Sequence, residues 1–326
     1  MNKKKHKITP IKIRLDLASI CQLKCPLCLT GRRELKSKSA VKPGFLKLYD
    51  FKNLIVKNPW IQKVETSSRG EVFLNPNFKE IIKFGSENNV EMSIGTGVNL
   101  NDCKIKDLEC LVKYQVNNIT CSIDGATQKT YAIYRKGGNL EKVIKNIQII
   151  NEFKKKYDSN KPYLTWQFVV FGHNEHEIKK AKETAQSLGM NFFPKLSWDS
   201  KYSPIKNTAA VKRDIGMKMI TRENILKKTN KSYYRSICTQ LWLRPQINFN
   251  GDILGCCENI WGIFGNGFKN GLLEEINNEK MNYARQMLMG EQPVREDIVC
   301  SKCERYFELK SKNAWISENE IEAPFL

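Results

Sequence analysis

Long apolar runs are absent from this sequence of 326 residues. A membrane-spanning helix needs about 20 consecutive apolar residues, and no segment approaches that length. The basic start MNKKKHKITPIKI is not followed by the apolar core and small-residue cleavage site of a secretory signal. The eleven cysteines are odd in number and the chain is not short, which argues against a secreted disulfide scaffold. We therefore expect a soluble, cytoplasmic protein with no membrane partner.

Acidic residues are few relative to basic ones. The chain has 34 Asp and Glu against 54 Lys and Arg, a formal net charge of +20. Such an excess indicates either an anionic partner or a lysine-rich solvated surface. Most of it is lysine, whereas bidentate recognition of phosphates and bases favours arginine. The lysines are also scattered along the chain and form no stripe with interleaved aromatics. The composition therefore argues against nucleic-acid binding.

Strand-like and helix-like patterns alternate from residue 11 to about residue 197. Strands are predicted at 11–17, 63–67, 90–94, 118–123, 164–171 and 191–196. Helical spacing covers 45–57, 77–88, 105–114, 139–156 and 175–188. Six strands that alternate with helices predict an α/β fold with a parallel sheet and right-handed crossovers. A weakly periodic, basic stretch follows, and the remainder is rich in Gly, Cys and Trp.

Polar and ligand-type residues follow four consecutive predicted strands. Three cysteines follow the first strand, Gly70 and Glu71 the second, and Thr96 the third, while Ser122 and Asp124 end the fourth. Parallel β/α folds build their sites from loops at the carboxyl ends of the strands. We therefore expect all of these residues to lie around one opening at the carboxyl ends of the strands, here called the mouth.

The first cysteine group is the segment CQLKCPLC, with Cys21, Cys25 and Cys28. Three thiolates on one loop can hold three irons of a [4Fe–4S] cluster and leave the fourth iron without a protein ligand. A zinc site normally has a fourth Cys or His nearby. No further cysteine occurs before Cys103, and none of the three histidines has suitable spacing. The segment therefore predicts a cluster with an open iron.

The spacing C-x3-C-x2-C after a first strand resembles the signature of the radical S-adenosylmethionine (SAM) superfamily. The resemblance implies a partial (β/α)6 TIM-type barrel in which the open iron is chelated by SAM. It also implies reductive cleavage to a 5′-deoxyadenosyl radical, with a flavodoxin- or ferredoxin-type protein as electron donor. One residue departs from the pattern, since Leu27 occupies a position that is usually aromatic.

Three further segments resemble the same family. In SSRGEVFLNPNF the resemblance implies that Gly70 and Glu71 contact the methionyl amino group of SAM, a charge-assisted contact for a carboxylate. In SIDGATQKTYAIYRKGGNLEKVIKNI it implies that Ser122 and Arg135 contact the ribose or carboxylate. QFVVFGHNEHEI resembles the fifth strand and its following loop. Taken singly, these residues also fit a loop, a turn and a surface arginine. The predicted SAM-binding residues are Gly70, Glu71, Thr96, Ser122, Asp124, Arg135 and Gln167.

A second cysteine group lies in the last third of the chain and consists of Cys238, Cys256, Cys300 and Cys303. NFNGDIL, around Gly251, predicts a hairpin turn between two short strands. The pattern resembles the auxiliary-cluster extensions called SPASM and twitch domains, and four ligands imply one auxiliary [4Fe–4S] cluster. A zinc site with four cysteines is the structural alternative.

Four cysteines fall outside both sets. Cys257 is a buried spacer, an alternative ligand or a hydrogen-atom donor to the substrate. Cys103, Cys110 and Cys121 are interpreted as small buried hydrophobic residues.

The expected domains are the barrel at 1–200, a connecting segment at 201–235 and the auxiliary-cluster module at 236–326. The cysteine spacing of the module resembles that of aminocyclitol dehydrogenases, in which the auxiliary cluster is thought to accept an electron. The favoured function is therefore dehydrogenation of a small or medium polar, anionic or carbohydrate-type substrate. Open alternatives are carbohydrate epimerisation, peptide modification, RNA modification and a non-catalytic metal-binding role. A first strand at about Ile11 leaves no room for an N-terminal peptide-recognition domain. The sequence does not predict the oligomeric state.

Overall fold

A single eight-stranded sheet organises the computed structural model of the protein, which describes residues 6–36, 39–224 and 235–322. Its strands are β1 (Lys12–Leu15), β2 (Lys63–Glu65), β3 (Glu91–Val98), β4 (Asn118–Ser122), β5 (Tyr163–Val170), β6 (Asn191–Leu196), β7 (Gln246–Ile247) and β8 (Ile253–Gly255). The spatial order is β6-β5-β4-β3-β2-β1-β7-β8. The six predicted strands are thus neighbours in chain order.

Helices connect successive strands and cover the outer face of the sheet. The helices are α1 (Leu48–Lys57), α2 (Phe78–Glu87), α3 (Ile105–Lys113), α4 (Gln128–Tyr134), α5 (Leu140–Lys156), α6 (Ile178–Ser187), α7 (Thr208–Ile215), α8 (Arg235–Cys238), α9 (Gln240–Leu243), α10 (Gly267–Asn270), α11 (Leu272–Glu275), α12 (Glu279–Leu288), α13 (Glu304–Ser311) and α14 (Glu318–Glu322). Every adjacent pair from β1 to β6 is parallel. The predicted α/β class and partial TIM-type barrel are therefore confirmed, and the sheet does not close.

Side chains alternate between the two faces of each strand, and this alternation makes the concave face polar. Ile13 and Leu15 are fully buried in the main hydrophobic core. Arg14, between them, points to the concave face. There it donates hydrogen bonds to Gln246 Oε1 at 2.8 Å and to Thr96 Oγ1 at 2.9 Å. The interior of the barrel is thus lined by hydrogen-bonding groups.

Strand β3 is longer than the sequence predicts. The predicted strand covers 90–94, whereas the observed strand continues through Gly95 and Gly97 to Val98. A Cβ on Gly95 would approach Glu65 Oε2 within 2.9 Å, so the glycine makes room for that carboxylate. Gly97 has a φ of +133°, which a side chain would strain. The glycines therefore bend the strand around the concave face and do not end it.

The predicted hairpin around Gly251 is present as β7 and β8, which are antiparallel. Gly251 has a φ of +86°, as the tight turn requires. Strand β7 also pairs in parallel with β1, so the hairpin extends the barrel sheet. Helix α7 lies within the predicted connecting segment 201–235, and residues 225–234 of that segment are outside the described ranges.

A fully buried arginine ties the C-terminal helices to the barrel. Arg285 donates hydrogen bonds to the carbonyl oxygens of His6, Leu241 and Ile276, at distances between 2.6 and 3.1 Å. Burial lowers the pKa of Arg285 to about 9. None of the helices in the described ranges combines the length and apolarity that crossing a bilayer requires.

Candidate active site

The predicted cysteine triplet lies on the loop that follows β1, at the carboxyl edge of the parallel strands. Cys25 is buried, with 4% of its surface exposed, and Cys21 and Cys28 are half-buried. The loop is held by its backbone, since Cys28 N donates to Cys25 O at 3.1 Å and Lys24 N donates to Lys136 O at 2.9 Å. The loop conformation therefore depends on the segment that follows α4.

Two polar side chains donate hydrogen bonds to sulfur atoms of this loop. Arg135 Nη1 lies 3.8 Å from Cys25 Sγ, and Asn99 Nδ2 lies 3.6 Å from Cys21 Sγ. Burial raises the pKa of the Cys25 thiol and raises that of Cys21 to about 12. Thiolates become stable in such surroundings when a metal centre binds them and the donors share their charge.

Arg135 is oriented by a buried carboxylate. Its Nε donates to Asp124 Oδ2 at 2.6 Å, and Asp124 Oδ1 accepts the backbone N–H of Val169 at 2.7 Å. Burial opposes the charge of Arg135, but the Asp124 carboxylate holds its pKa above the ordinary value. Both predicted residues are thus in one cluster with Cys25. Asp124 acts by positioning Arg135, because its own oxygens are already occupied.

Glu71 presents an unsatisfied carboxylate oxygen at the same mouth. Its Oε2 accepts the backbone N–H of Asn99 at 2.7 Å, while Oε1 is buried and has no hydrogen-bond partner among the described residues. Burial raises the pKa of Glu71 to about 7. A buried carboxylate oxygen without a donor is costly, and an ammonium group at this position would satisfy it. The geometry fits the predicted contact with an amino group.

Gly70 packs against the backbone of the triplet loop. A Cβ at this position would lie 2.5 Å from Ala18 O and 2.6 Å from Ile20 O. Any larger residue would push the loop away from β2. Gly70 therefore sets the distance between the cysteine loop and the carboxylate of Glu71.

The remaining predicted residues lie on the concave face. Ser122 Oγ accepts a hydrogen bond from Gln167 Nε2 at 3.3 Å, which joins β4 to β5. Thr96 Oγ1 accepts from Arg14, and Thr96 N donates to Ser67 Oγ at 3.1 Å. These three predicted residues line the interior below the mouth and belong to its hydrogen-bond network.

Sequence reasoning missed Asn99, which contacts both Cys21 and Glu71. It directly follows β3, so the rule that sites lie at strand ends identifies it once the strand is extended to Val98. The same error placed Thr96 at the mouth, although it lies within the strand.

The four C-terminal cysteines line one cavity together with apolar side chains. The lining residues are Ile237, Cys238, Leu241, Cys256, Glu258, Leu288, Cys300, Cys303, Arg305 and Tyr306. The four cysteines come from three separate parts of the chain: Cys238 ends α8, Cys256 follows β8, and Cys300 and Cys303 lie in and directly after the short helical turn before α13. Burial, and then the neighbouring thiols, raises the pKa of Cys300 well above its usual value. Such a cavity cannot hold several thiolates without a compensating positive centre.

Cys257 points away from that cavity. Its N donates to Gln240 Oε1 at 2.9 Å, and its Sγ accepts from Gln240 Nε2 at 3.3 Å. The guanidinium of Arg69, on the loop after β2, donates to the carbonyl oxygens of Cys257 and Asn259. Adjacent cysteines therefore have different surroundings, with Cys256 lining the cavity and the Cys257 thiol against Gln240.

Within the described ranges, no three His, Cys, Asp or Glu side chains are close enough together to hold a single metal ion. A single zinc ion draws its sulfur ligands to about 2.3 Å from one centre. In a [4Fe–4S] cluster each thiolate binds a different iron, so the sulfurs are held further apart.

A cysteine triplet at the carboxyl edge of a partial β/α barrel is the arrangement of enzymes that use SAM and an iron–sulfur cluster. Residues 16–185, more than half of the chain, match the Radical SAM superfamily. The chain belongs to this superfamily. Its cofactors are accordingly a [4Fe–4S] cluster and SAM.

Comparison with characterised proteins gives more distant relatives. The chain is 28% identical over 203 residues to 7,8-dihydro-6-hydroxymethylpterin dimethyltransferase from Methanocaldococcus jannaschii. The match covers 58% of this chain and 37% of that protein, so the chain spans well under half the length of this relative.

Among solved structures, Streptococcus suis SuiB superposes with a TM-score of 0.66 at 14% identity, over 98% of this chain and 79% of that one. SuiB bound to SAM gives a TM-score of 0.63 at 16% identity, over 94% and 73% of the two chains. SuiB bound to precursor peptide SuiA gives a TM-score of 0.64 at 15% sequence identity, over 94% of this chain and 72% of that one. At these identities the likeness shows the fold.

Proposed function

We propose that this protein is a radical SAM oxidoreductase that dehydrogenates a polar, carbohydrate- or aminocyclitol-type substrate. In this proposal Cys21, Cys25 and Cys28 hold the SAM-binding cluster. Cys238, Cys256, Cys300 and Cys303 hold an auxiliary [4Fe–4S] cluster. The observation that carries the proposal is the largely apolar cavity lined by four cysteines, separate from the loop that carries the triplet.

The mouth provides contacts for SAM. The unpartnered Oε1 of Glu71 is a ready acceptor for the methionyl ammonium, and Arg135, held by Asp124, supplies a cation beside Cys25. When reduced, the bound cluster and SAM supply a 5′-deoxyadenosyl radical that removes a hydrogen atom from a substrate. Charge-assisted hydrogen bonds of this type are roughly twice as strong as neutral ones, which favours the charged cofactor at this point.

The two cysteine sites suit dehydrogenation. Removal of one hydrogen atom leaves a substrate radical, and the second step releases a proton and an electron. A cluster held by the C-terminal cysteines supplies an acceptor for that electron. The polar concave face, with Ser122, Gln167 and Arg14, offers hydrogen bonds to a hydroxyl-rich substrate between the two sites.

Anaerobic reconstitution followed by iron and sulfide analysis tests the proposal. About eight irons per chain are expected for two [4Fe–4S] clusters. About four irons would mean that the C-terminal site holds zinc or no metal. Incubation with SAM, a reductant and a panel of aminocyclitols and sugars should then yield 5′-deoxyadenosine and a product two mass units lighter. Eight irons with no 5′-deoxyadenosine would contradict the catalytic part of the proposal.

The placement of Cys257 favours a second candidate function, which is epimerisation of a carbohydrate carbon. Gln240 binds both the N–H and the Sγ of Cys257 and holds the thiol apart from the cavity lined by the four other C-terminal cysteines. In this reaction the thiol would return a hydrogen atom to the opposite face of the substrate radical, so that the product mass is unchanged. The thiyl radical left on Cys257 would return to the thiol by taking one proton from water and one electron from the flavodoxin- or ferredoxin-type donor.

Turnover in deuterated water separates the two functions. An epimerase takes up one deuterium through its exchangeable thiol, and Cys257→Ala should abolish epimer formation while 5′-deoxyadenosine is still made. A dehydrogenase gives the lighter product, and Cys257→Ala should retain that product. The variant Cys110→Ala, a core thiol remote from both sites, is the matched control.

A further inference from the structure

The loop after β2 contacts both cysteine regions through one residue, Arg69, which directly precedes Gly70 and Glu71. The carbonyl oxygen of Arg69 accepts a hydrogen bond from Thr30 Oγ1, on the chain that leaves the triplet loop. Its N–H donates to Asp16 Oδ1 at 3.2 Å, and Asp16 directly follows β1. The backbone of Arg69 is therefore fixed to the triplet side of the barrel.

The side chain of Arg69 reaches the C-terminal cysteine region. Its Nη2 donates to the carbonyl oxygen of Cys257 and, at 2.9 Å, to that of Asn259. This nitrogen carries two hydrogens, so it can hold two carbonyl oxygens at once. Hydrogen bonds from a charged donor are stronger than those between neutral groups. The arginine thus holds the turn that follows Cys256 from the side of the barrel loop.

One of the peptide groups bound by Arg69 also faces Cys256. The carbonyl oxygen of Cys257 and the N–H of Glu258 belong to the same trans peptide, so they point in opposite directions. With the carbonyl on Arg69, the N–H is directed away from the arginine. Burial raises the pKa of the Cys256 thiol to about 12, and the N–H groups of Asn259 and Glu258 oppose this rise. The cation therefore polarises a peptide whose other end favours a thiolate at Cys256.

The same turn is connected to the segment that carries Cys300. Asn259 is buried, and its Nδ2 donates to the carbonyl oxygen of Gly262 at 2.8 Å while its Oδ1 accepts the N–H of Trp261 at 3.1 Å. Trp261 Nε1 then donates to the carbonyl oxygen of Val299, the residue before Cys300, at 2.9 Å. A continuous set of hydrogen bonds thus leads from Arg69 through the turn to a second cysteine of the cavity.

We propose that Arg69 is a positioning residue for the C-terminal site, which holds the turn after Cys256 and thereby sets the reduction potential of the cluster bound there. The inference rests on the proposed function in one respect, namely that the C-terminal cysteines hold an auxiliary cluster. Because Gly70 and Glu71 directly follow Arg69, one short segment then places both the SAM contacts and the electron acceptor.

A potentiometric titration followed by electron paramagnetic resonance tests this on the reconstituted full-length protein. The auxiliary cluster is identified as the signal that is missing from Cys256→Ala. In Arg69→Gln the equilibrium constant for its reduction should fall about tenfold, which is 59 mV for a one-electron couple. The reason is that a cation and its hold on the turn are lost, and net charge and hydrogen bonds to sulfur set the potential of such clusters.

Three further readings separate positioning from a general structural role. The potential of the SAM-binding cluster should move less than that of the auxiliary cluster. Arg69→Lys keeps the charge, so its shift should be smaller than that of Arg69→Gln. The control is Arg213→Gln on α7, whose exposed side chain pairs with the neighbouring Asp214 and should shift neither potential. Equal shifts of the two clusters overturn the inference, as do an unmoved auxiliary potential and an equal shift in Arg213→Gln.

The iron content covers a variant that no longer holds a cluster. Selective loss of about four irons in Arg69→Gln, with about eight kept in Arg69→Lys, supports the positioning role, whereas loss of all eight overturns it. The parent protein distinguishes this inference from the proposed function. A parent with only about four irons refutes the auxiliary cluster and the inference together. Eight irons with an unmoved auxiliary potential refute only the inference, and the expected shift in a protein that never cleaves SAM refutes only the proposed function.

Discussion

The two cysteine sites of this molecule differ in how the chain builds them. The triplet comes from one loop of eight residues after β1, and polar donors from Arg135 and Asn99 reach its sulfurs. The C-terminal set comes from three distant segments and is surrounded largely by apolar side chains such as Leu241 and Leu288. The first site has polar donors at its sulfurs, whereas the second is lined largely by apolar side chains.

This difference matches the different chemistry proposed for each site. A cluster that must bind SAM needs an open position and charged neighbours, which the mouth of the barrel provides. A cluster that only accepts an electron needs four ligands and protection from water, since burial and hydrogen bonding to sulfur set its potential. The contrast therefore predicts that damage to the two sites has different consequences.

The largest expected effect comes from single cysteine substitutions, one in each site, which should have different consequences for catalysis. Cys25→Ala should reduce 5′-deoxyadenosine formation roughly a thousandfold or more, about 4 kcal/mol in the barrier, because the SAM-binding cluster loses a ligand. Cys300→Ala should still form 5′-deoxyadenosine but should lose the dehydrogenated product. Chromatography of both products after anaerobic turnover measures this. If Cys300→Ala also stopped SAM cleavage, the two sites would not be functionally separate.

A smaller effect is expected for Arg135, the cation beside Cys25. Arg135→Gln should weaken SAM binding about 10- to 100-fold, because a hydrogen bond to a charged group is lost. It should also shift the potential of this cluster to more negative values, since a positive charge next to a thiolate favours the reduced state. A redox titration followed by electron paramagnetic resonance checks the shift. The control is Arg305→Gln at the C-terminal cavity, which should leave this potential unchanged.

The adjacent pair Cys256 and Cys257 gives a matched test of the C-terminal cysteine site. Cys256→Ala should lower the iron content from about eight to about four per chain, because the cavity loses a ligand. Cys257→Ala should keep about eight irons, because its thiol faces Gln240. Iron analysis after identical reconstitution measures both variants. Equal iron loss in the two would mean that Cys257 is a ligand.

The smallest effect is expected for Glu71, the buried carboxylate beside the cysteine triplet. Because the pKa of Glu71 is raised from 4.5 to about 7, the folded chain retains a proton that the unfolded chain loses between these values. This group therefore lowers the free energy of unfolding as the pH rises from about 4.5 to 7. At pH 8, Glu71→Gln should increase the free energy of unfolding of the SAM-free protein by at most about 3 kcal/mol, and its Tm should rise accordingly. The same substitution should weaken SAM binding.

Calorimetry across this pH range measures the effect of Glu71→Gln. The control is Glu109→Gln at a surface carboxylate, whose pKa Tyr157 and Lys156 hold below the usual value. Its substitution should lower the Tm slightly or leave it unchanged, since its ionised form is favoured in the folded chain. An unchanged Tm in Glu71→Gln would show that Glu71 titrates normally and that its Oε1 is satisfied in solution.

Much of the fold was predictable because its signals are local. The alternation of strands and helices predicted β1 to β6, and β6 has the predicted bounds. The exception is β3, which was predicted to end at residue 94 and continues through Gly95 and Gly97 to Val98. Glycine has the same local signature whether it ends a strand or makes room for a side chain opposite, and only the position of Glu65 distinguishes the two.

The sequence by itself determined the cysteine triplet and the superfamily, because three ligands of one cluster fit within eight consecutive residues and need no knowledge of distant contacts. Only the tertiary structure brought Cys238, Cys256, Cys300 and Cys303 to one cavity, turned Cys257 away from it, and left Glu71 Oε1 without a donor. These features depend on which residues become neighbours when the sheet curves, and on the burial that follows, and neither is encoded in the spacing of residues along the chain.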